Sequence, residues 1–230
     1  MDQAVCPWST WKPATISFCE RELCAWVTQP ANTWSNLPFI IVGFYLIWLS
    51  RKENQLPLVI VGISEILVGI GSFMFHMSST YAFHILDVAA MFLISALMLS
   101  LNLRRFFKWG TKPLAVFYFG MVLLSTSIMI QWEITGIPIF ATQVFVAVAL
   151  EVLLFLRDQE TEKEANFRYL FAFSALFAIS FFVWNMDIRG IWCDPDNHWI
   201  QGHAVWHLFN AICIYFIYKF HSQFKYELKG

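Results

Sequence analysis

The chain has 230 residues, 58% of them hydrophobic and 13% charged, with a formal net charge of -1. A soluble domain is closer to half apolar and a quarter charged, so a water-soluble enzyme is excluded, and the lack of net charge or a basic tract argues against a nucleic-acid partner. The aromatic share of 18%, with 24 Phe and 11 Trp, completes the composition of a multi-pass membrane protein with little mass outside the bilayer.

The first stretch, 1–34, lacks a basic region followed by an apolar core. It is therefore not expected to be a signal peptide, and the first membrane helix is expected to serve as the insertion signal. A window of about 19 residues then finds apolar segments long enough to span a bilayer. They are 32–50, 58–77, 82–103, 113–131, 137–156, 167–185 and 203–221. The predicted fold is an all-α membrane protein, a seven-transmembrane helix bundle occupying 32–221. An extracytoplasmic segment, 1–31, precedes it and a cytoplasmic tail, 222–230, follows. The connections are too short for a separate soluble domain.

Loop charges predict the orientation. Arg51 and Lys52 follow the first helix, Arg104, Arg105, Lys108 and Lys112 lie between the third and fourth, and Arg157, Lys163 and Arg168 between the fifth and sixth. Lys219, Lys225 and Lys229 end the chain, whereas the connections 78–81 and 132–136 contain no Lys or Arg. Basic loops stay inside, so the N-terminus is expected outside and the C-terminus in the cytoplasm.

This topology predicts one polar cluster. The last helix opens with Gly202-His203-Ala204-Val205-Trp206-His207, in which two imidazoles four residues apart share a helix face. The second helix ends with Ser72 and His76, also four apart, and the third begins with His84 and Asp87 after a short connection. All these ends fall on the outer side. Ionisable groups within a membrane are costly and mark candidate sites. Three imidazoles (His76, His203, His207) with one open position for water make the tetrahedral zinc site of a hydrolase. A carboxylate such as Asp87 handles protons beside it, and a hydroxyl such as Ser72 donates to an oxyanion. The competing reading of each residue alone is a helix-to-helix hydrogen bond.

The pattern Ser72-x3-His76, Asp87 and His203-x3-His207 resembles the alkaline ceramidases. More broadly it resembles the seven-helix membrane hydrolases that include adiponectin-type receptors and GPI-remodelling membrane hydrolases. Phe18-Cys19-Glu20, Asn32-Thr33-Trp34-Ser35-Asn36-Leu37 and Trp184-Asn185-Met186-Asp187 agree with it along nearly the whole chain. The resemblance implies His76, His203 and His207 as zinc ligands, Asp87 as the acid/base residue and Ser72 as the hydroxyl near the attacking water. It implies hydrolysis of an amide in a ceramide-like membrane lipid, with no obligate protein partner. It also implies a calcium site around the Cys-Glu motif, to which Glu20 corresponds and where Glu22 stands in place of an Asn. Ser17 stands where an Asp is expected and Gln29 lies near an expected Glu, so the alternative is a solvated acidic turn that caps or orients the first helix.

Of five cysteines, four (Cys6, Cys19, Cys24 and Cys193) fall on the predicted outer side. The family has cysteines at the places of Cys19 and Cys193, and a bridge between them is expected, with Cys19–Cys24 the alternative. Cys213 lies inside the last helix as a packing residue. His84, three residues before Asp87, is expected to face a neighbouring helix or the interface, with an alternative ligand as the other reading, and His198 is expected to be solvated. Glu65 shares a face with Ser72 and His76, as a cavity-wall group or a helix-to-helix contact. Glu151 lies nearer the cytoplasmic end. Asp187 is a candidate to orient a zinc-bound imidazole, or to pair with Arg189. Trp8, Trp11, Trp34, Trp192 and Trp199 suit an interfacial belt. The rival functions are hydrolysis of another lipid linkage (ester or GPI-type), a lipid-sensing receptor with structural zinc, and a carrier with a Glu65–Glu151 polar path. The short loops suggest a bacterial inner membrane, with an organelle membrane as the alternative.

Overall fold

The computed structural model describes residues 5–157, 165–224 and 226. Lys163, Lys225 and Lys229, and much of the tail 222–230, lie outside them. Among the described residues the regular structure is helical, with no strand. The elements are α1 (Pro30–Trp34), α2 (Leu37–Lys52), α3 (Val59–Ser78), α4 (Tyr81–Phe107), α5 (Thr111–Trp132), α6 (Ile137–Arg157), α7 (Arg168–Ile188) and α8 (Gly202–His221), with a short 3-10 turn at Leu56–Leu58. Proline sets the first two starts, lying within the first two positions of both α1 and α2, where its missing N–H has no helical partner to lose.

Each predicted apolar stretch is found as a helix, with ends moved by a few residues. The third stretch was expected to stop at 103, but α4 continues through Arg104 and Arg105 to Phe107. Apolar content falls at the first charges, whereas backbone hydrogen bonding continues until Lys108 turns left-handed at φ 55°. Taking α1 and α2 together, six helices are long and apolar enough to cross a membrane. Their outward surfaces carry Leu123, Phe145 and Phe171, as befits a multi-pass membrane protein. The last helix, α8, also has 20 residues but is more polar. Its His203, His207, Asn210 and His221 are all buried in the bundle.

α3 packs between α2 and α4, while α8 lies against α7 and α2. The α2–α3 contact is close because small residues face each other. A Cβ placed on Gly62 would stand 2.6 Å from the Gly43 carbonyl oxygen, and one on Gly43 would stand 2.8 Å from that of Gly62. Small residues permit such approaches between membrane helices, where dispersion rather than hydrophobic expulsion drives association. At the basic end, Arg105 on α4 places Nη1 2.7 Å and 2.8 Å from the two carboxylate oxygens of Glu151 on α6.

The opposite end is closed by the segment before α1. Tyr81 N donates to Lys12 O, Ala14 N to Ser79 O, and Thr28 N to Met77 O, so the segment lies along the α3–α4 turn. Two disulfides fasten it, Cys19–Cys193 and Cys6–Cys24. The first is the expected bridge, and the second pairs Cys24 with Cys6 instead of Cys19. Cys213 is free and buried.

Gly62→Val should force α2 and α3 apart at a cost of about 1–3 kcal/mol and lower the thermal midpoint in detergent. Gly120→Val, where an added Cβ meets nothing within 4 Å, should leave the midpoint in place. Equal midpoints for the two variants, by circular dichroism, would refute the close approach.

Candidate metal centre

The α3–α4 connection brings the first half of the cluster together. Ser79 ends α3 in the left-handed region (φ 54°, ψ 29°), its N–H bonded to Phe75 O, and α4 starts two residues later. The helices stay close beyond the turn. A Cβ on Gly71 would lie 3.0 Å from Leu86 O and 3.1 Å from Asp87 Cα. Ser72, next along α3, thereby meets the Asp87 side chain. His76 lies one turn further on.

α8 supplies the second half, and Asp187 at the end of α7 sets its position. Asp187 Oδ2 accepts from the His203 backbone N at 3.0 Å, and Oδ1 accepts from Cys19 N at 3.1 Å. One carboxylate thus satisfies an otherwise unpaired amide at the start of α8 and holds the Cys19 segment beside it. Asp187 orients the helix that carries the imidazoles, through the His203 backbone and not its ring.

The outcome is three buried imidazoles, His76, His203 and His207, whose nitrogens lie within 4.8 Å of one another. His203 Nε2 and His76 Nε2 are 3.0 Å apart, and Ser72 Oγ lies 3.3 Å from His207 Nε2. The outer hydrogen bonds fix which ring nitrogen is bare. Gln29 Nε2 donates to Glu20 O and its Oε1 lies 2.7 Å from His76 Nδ1. Oε1 must accept, so the His76 hydrogen is on Nδ1 and the Nε2 lone pair points inward. Ser35 Oγ donates to Asn32 O and lies 2.8 Å from His207 Nδ1, which gives His207 the same tautomer. Donation of the outer N–H to a fixed acceptor is the usual arrangement around a metal-bound imidazole. His203 Nδ1 is buried without a partner, and its ring is stacked under Phe18 at 3.8 Å between centroids. Two inward lone pairs and a third adjacent ring, inside apolar walls, fit a metal that takes imidazole nitrogen, as zinc does.

The cluster opens into a cavity lined by Ser72, Asp87, His84, His203 and His207 at one end and by Val68, Glu65 and Asn210 further along. Phe18 and Ile16 of the N-terminal segment form part of its wall. His84 is not among the three. Its ring packs on Phe75 of the neighbouring α3, 5.0 Å between centroids, as expected, and its Nδ1 also faces Thr15 Oγ1 of the N-terminal segment at 3.4 Å.

Glu20 and Glu22, the residues expected to bind calcium, lie in different surroundings. Glu20 is buried, and its two oxygens accept from Ala31 N and Asn32 N at 2.9 Å each, with His198 Nδ1 3.0 Å from Oε1. The carboxylate caps α1. Glu22 is exposed. His198, expected to be solvated, is instead the partner of that buried carboxylate. Gln29 and Ser35 are the functional candidates that spacing did not reveal. Each lies outside the regular apolar pattern, and only the folded segment shows which imidazole it faces.

The family model described as Ceramidase matches residues 11–230. The Saccharomyces cerevisiae alkaline ceramidase YPC1 is 23% identical over 233 residues, covering 88% of this chain and 74% of the relative. A Dictyostelium discoideum protein, dcd3A, whose name assigns it provisionally to the alkaline ceramidases, is 22% identical over 241 residues, covering 88% and 83%. Both relatives are eukaryotic, and the expected bacterial inner membrane draws no support from them.

Gln29→Ala and Ser35→Ala should each weaken zinc binding by about 10–100-fold, measured by competition with a chelator of known affinity. Thr142→Ala, at an exposed position of α6 whose hydroxyl bonds to Pro138 O, should not. Unchanged affinity in both site variants would show that these side chains do not orient the ligands.

A match over residues 11–230, together with the convergent histidines of α3 and α8, places the chain in the ceramidase family.

Proposed function

We propose that the protein is a zinc-dependent intramembrane amide hydrolase that cleaves ceramide-like lipids into a fatty acid and a sphingoid base. The observation that carries this reading is the convergence of His76, His203 and His207 beside Asp87 and Ser72 at the end of an apolar cavity. The names of the relatives point to the same substrate class.

His76, His203 and His207 would hold the zinc, which when bound supplies a Lewis acid and lowers the pKa of a water to about 7. Asp87 takes the proton of the attacking water and delivers it to the leaving amine, so that the amine departs uncharged. Ser72 Oγ–H donates to the carbonyl oxygen as negative charge develops there. Gln29 and Ser35 keep the inner ring nitrogens bare. Phe18, Phe140 and Trp206 wall the cavity, hold the lipid chain and limit competing water.

In this reading all seven long helices span, α8 included, with its polar residues turned inward. At 20 residues, α8 is about 30 Å long. The N-terminal segment and the centre lie on the extracytoplasmic side, and the basic ends of α2, α4 and α6 face the cytoplasm. Residues 1–31 serve as the outer cap, 32–221 as the hydrolase bundle and 222–230 as the tail. The Arg105–Glu151 pair argues against the carrier alternative, since it neutralises one of the two carboxylates such a path would need.

The test is metal content and lipid hydrolysis on one detergent-purified sample. About one zinc per chain is expected, with ceramide hydrolysis that is lost on chelation and restored by zinc. His207→Ala should lose both metal and activity. Asp87→Asn should keep the metal and lose about 10²–10⁴-fold in rate, and Ser72→Ala about 10²–10³-fold. Zinc without turnover of any amide lipid would favour an ester or GPI-type linkage, or the receptor reading. Full activity in Asp87→Asn would overturn the assigned proton transfer.

A further inference from the structure

Among the described residues, the fold uses four of five buried carboxyl groups. Glu20 holds the first amides of α1, Asp187 holds Cys19 and His203, Glu151 is paired with Arg105, and Asp87 meets Ser72. The fifth, Glu65, is fully buried on α3, and neither of its oxygens has a hydrogen-bond partner among the described residues. Burying a carboxyl without a partner is costly, and Glu65 joins no two helices in return.

Glu65 lines the same cavity as the histidine cluster. It precedes Ser72 by seven residues on one helix, which sets the two about 10 Å apart along the axis. Helical side chains lean toward the helix N-terminus, which carries its carboxyl further from the histidines. The stretch between is apolar, with Val68, Ile94 and Ile214 in its wall. Asn210, on α8 one turn beyond His207, is a polar residue between the histidines and that depth. Its Nδ2 already donates to Ser180 Oγ at 2.7 Å and to Trp206 O at 2.8 Å, so what it has left to offer is an acceptor. A carboxyl offers an acceptor oxygen in either protonation state. The far part of the cavity therefore calls for a group that can hydrogen-bond a carboxyl, as a hydroxyl does.

We infer that Glu65 is a specificity residue that accepts a hydrogen bond from a hydroxyl on the buried hydrocarbon chain of the substrate, several carbons from the scissile carbonyl. The inference rests on the amide-hydrolase reading above, which sets the carbonyl at the histidines and the chain along the cavity. A plain chain would leave the carboxyl unpaired, and a hydroxyl at that depth would satisfy it. A hydroxyl next to the carbonyl would lie too near the histidines to reach it. The hydroxylated chain is either the acyl chain or the one derived from the amine.

The experiment uses the full-length zinc-loaded protein and ceramides in four forms. These are a plain acyl chain, an acyl hydroxyl beside the carbonyl, an acyl hydroxyl at mid-chain, and a plain acyl chain on a base hydroxylated at mid-chain. The wild type should favour one of the mid-chain forms over the plain form by about tenfold or more in kcat/KM, and which form is favoured identifies the chain. Glu65→Leu should bring that ratio to about one, and Glu65→Gln, which keeps an acceptor, should retain a reduced preference. A wild-type ratio near one for both forms, or an unchanged ratio in Glu65→Leu, overturns the inference.

Stabilisation of the protein against heat by the free chains (fatty acids and long-chain amines, mid-chain-hydroxylated against plain) reads the same contact without turnover. If no amide is hydrolysed, the proposed function fails. The inference then stands or falls on whether hydroxylated chains stabilise the wild type more than plain ones and lose that advantage in Glu65→Leu.

Discussion

The Asp187 carboxylate joins three parts of the chain that lie far apart in sequence. One oxygen takes the amide of Cys19 and the other takes that of His203. The start of a helix is electropositive and carries unpaired N–H groups, so a carboxylate there is favourable, and inside a membrane protein such groups cannot rely on water. By holding α8 at its first turn, Asp187 sets the depth and rotation of His203 and, one turn later, His207. By holding Cys19 it sets Phe18 on the face of the His203 ring. Without this anchor both the ligand-bearing helix and its cover would lose their reference point.

A second carboxylate acts in the same way at the other side of the cover. Glu20 holds the amides of Ala31 and Asn32 and so fixes α1, from which Ser35 reaches His207. Gln29, just before α1, reaches His76. The segment before α2 is therefore part of the centre. It supplies the acceptors that decide ring tautomers, while the long helices supply the rings. The resemblance suggested a cation for this segment, yet in this chain helix amides and His198 occupy the carboxylate.

The helices and the inner residues of the centre were legible in the sequence for a physical reason. Long apolar runs have few ways to satisfy their backbone other than as helices, and residues four apart on a helix share a face. Ser72 with His76, and His203 with His207, follow from that spacing, and a two-residue turn brings Asp87 to them. What was not legible lies where no periodicity operates. The Cys6–Cys24 pairing, the partner of His198 and the contacts of Gln29 and Ser35 all belong to irregular backbone, whose path depends on what it packs against. The family pattern located Cys19, Cys193 and Glu20, but only the folded segment distinguishes an ion cage from a helix cap.

The cover and the ligands also impose an order in time. His76 is reached about a third of the way along the chain, whereas His203, His207 and Cys193 come near its end, and Cys193 bridges to Cys19 across a separation of 174 residues. During synthesis the early helices must therefore wait, holding one imidazole and a loose N-terminal segment, until the last helix arrives. A nascent chain stopped before Cys193 has neither the histidines of α8 nor the partner for Cys19. Hydrolytic chemistry inside the membrane is thus withheld from incomplete products of translation.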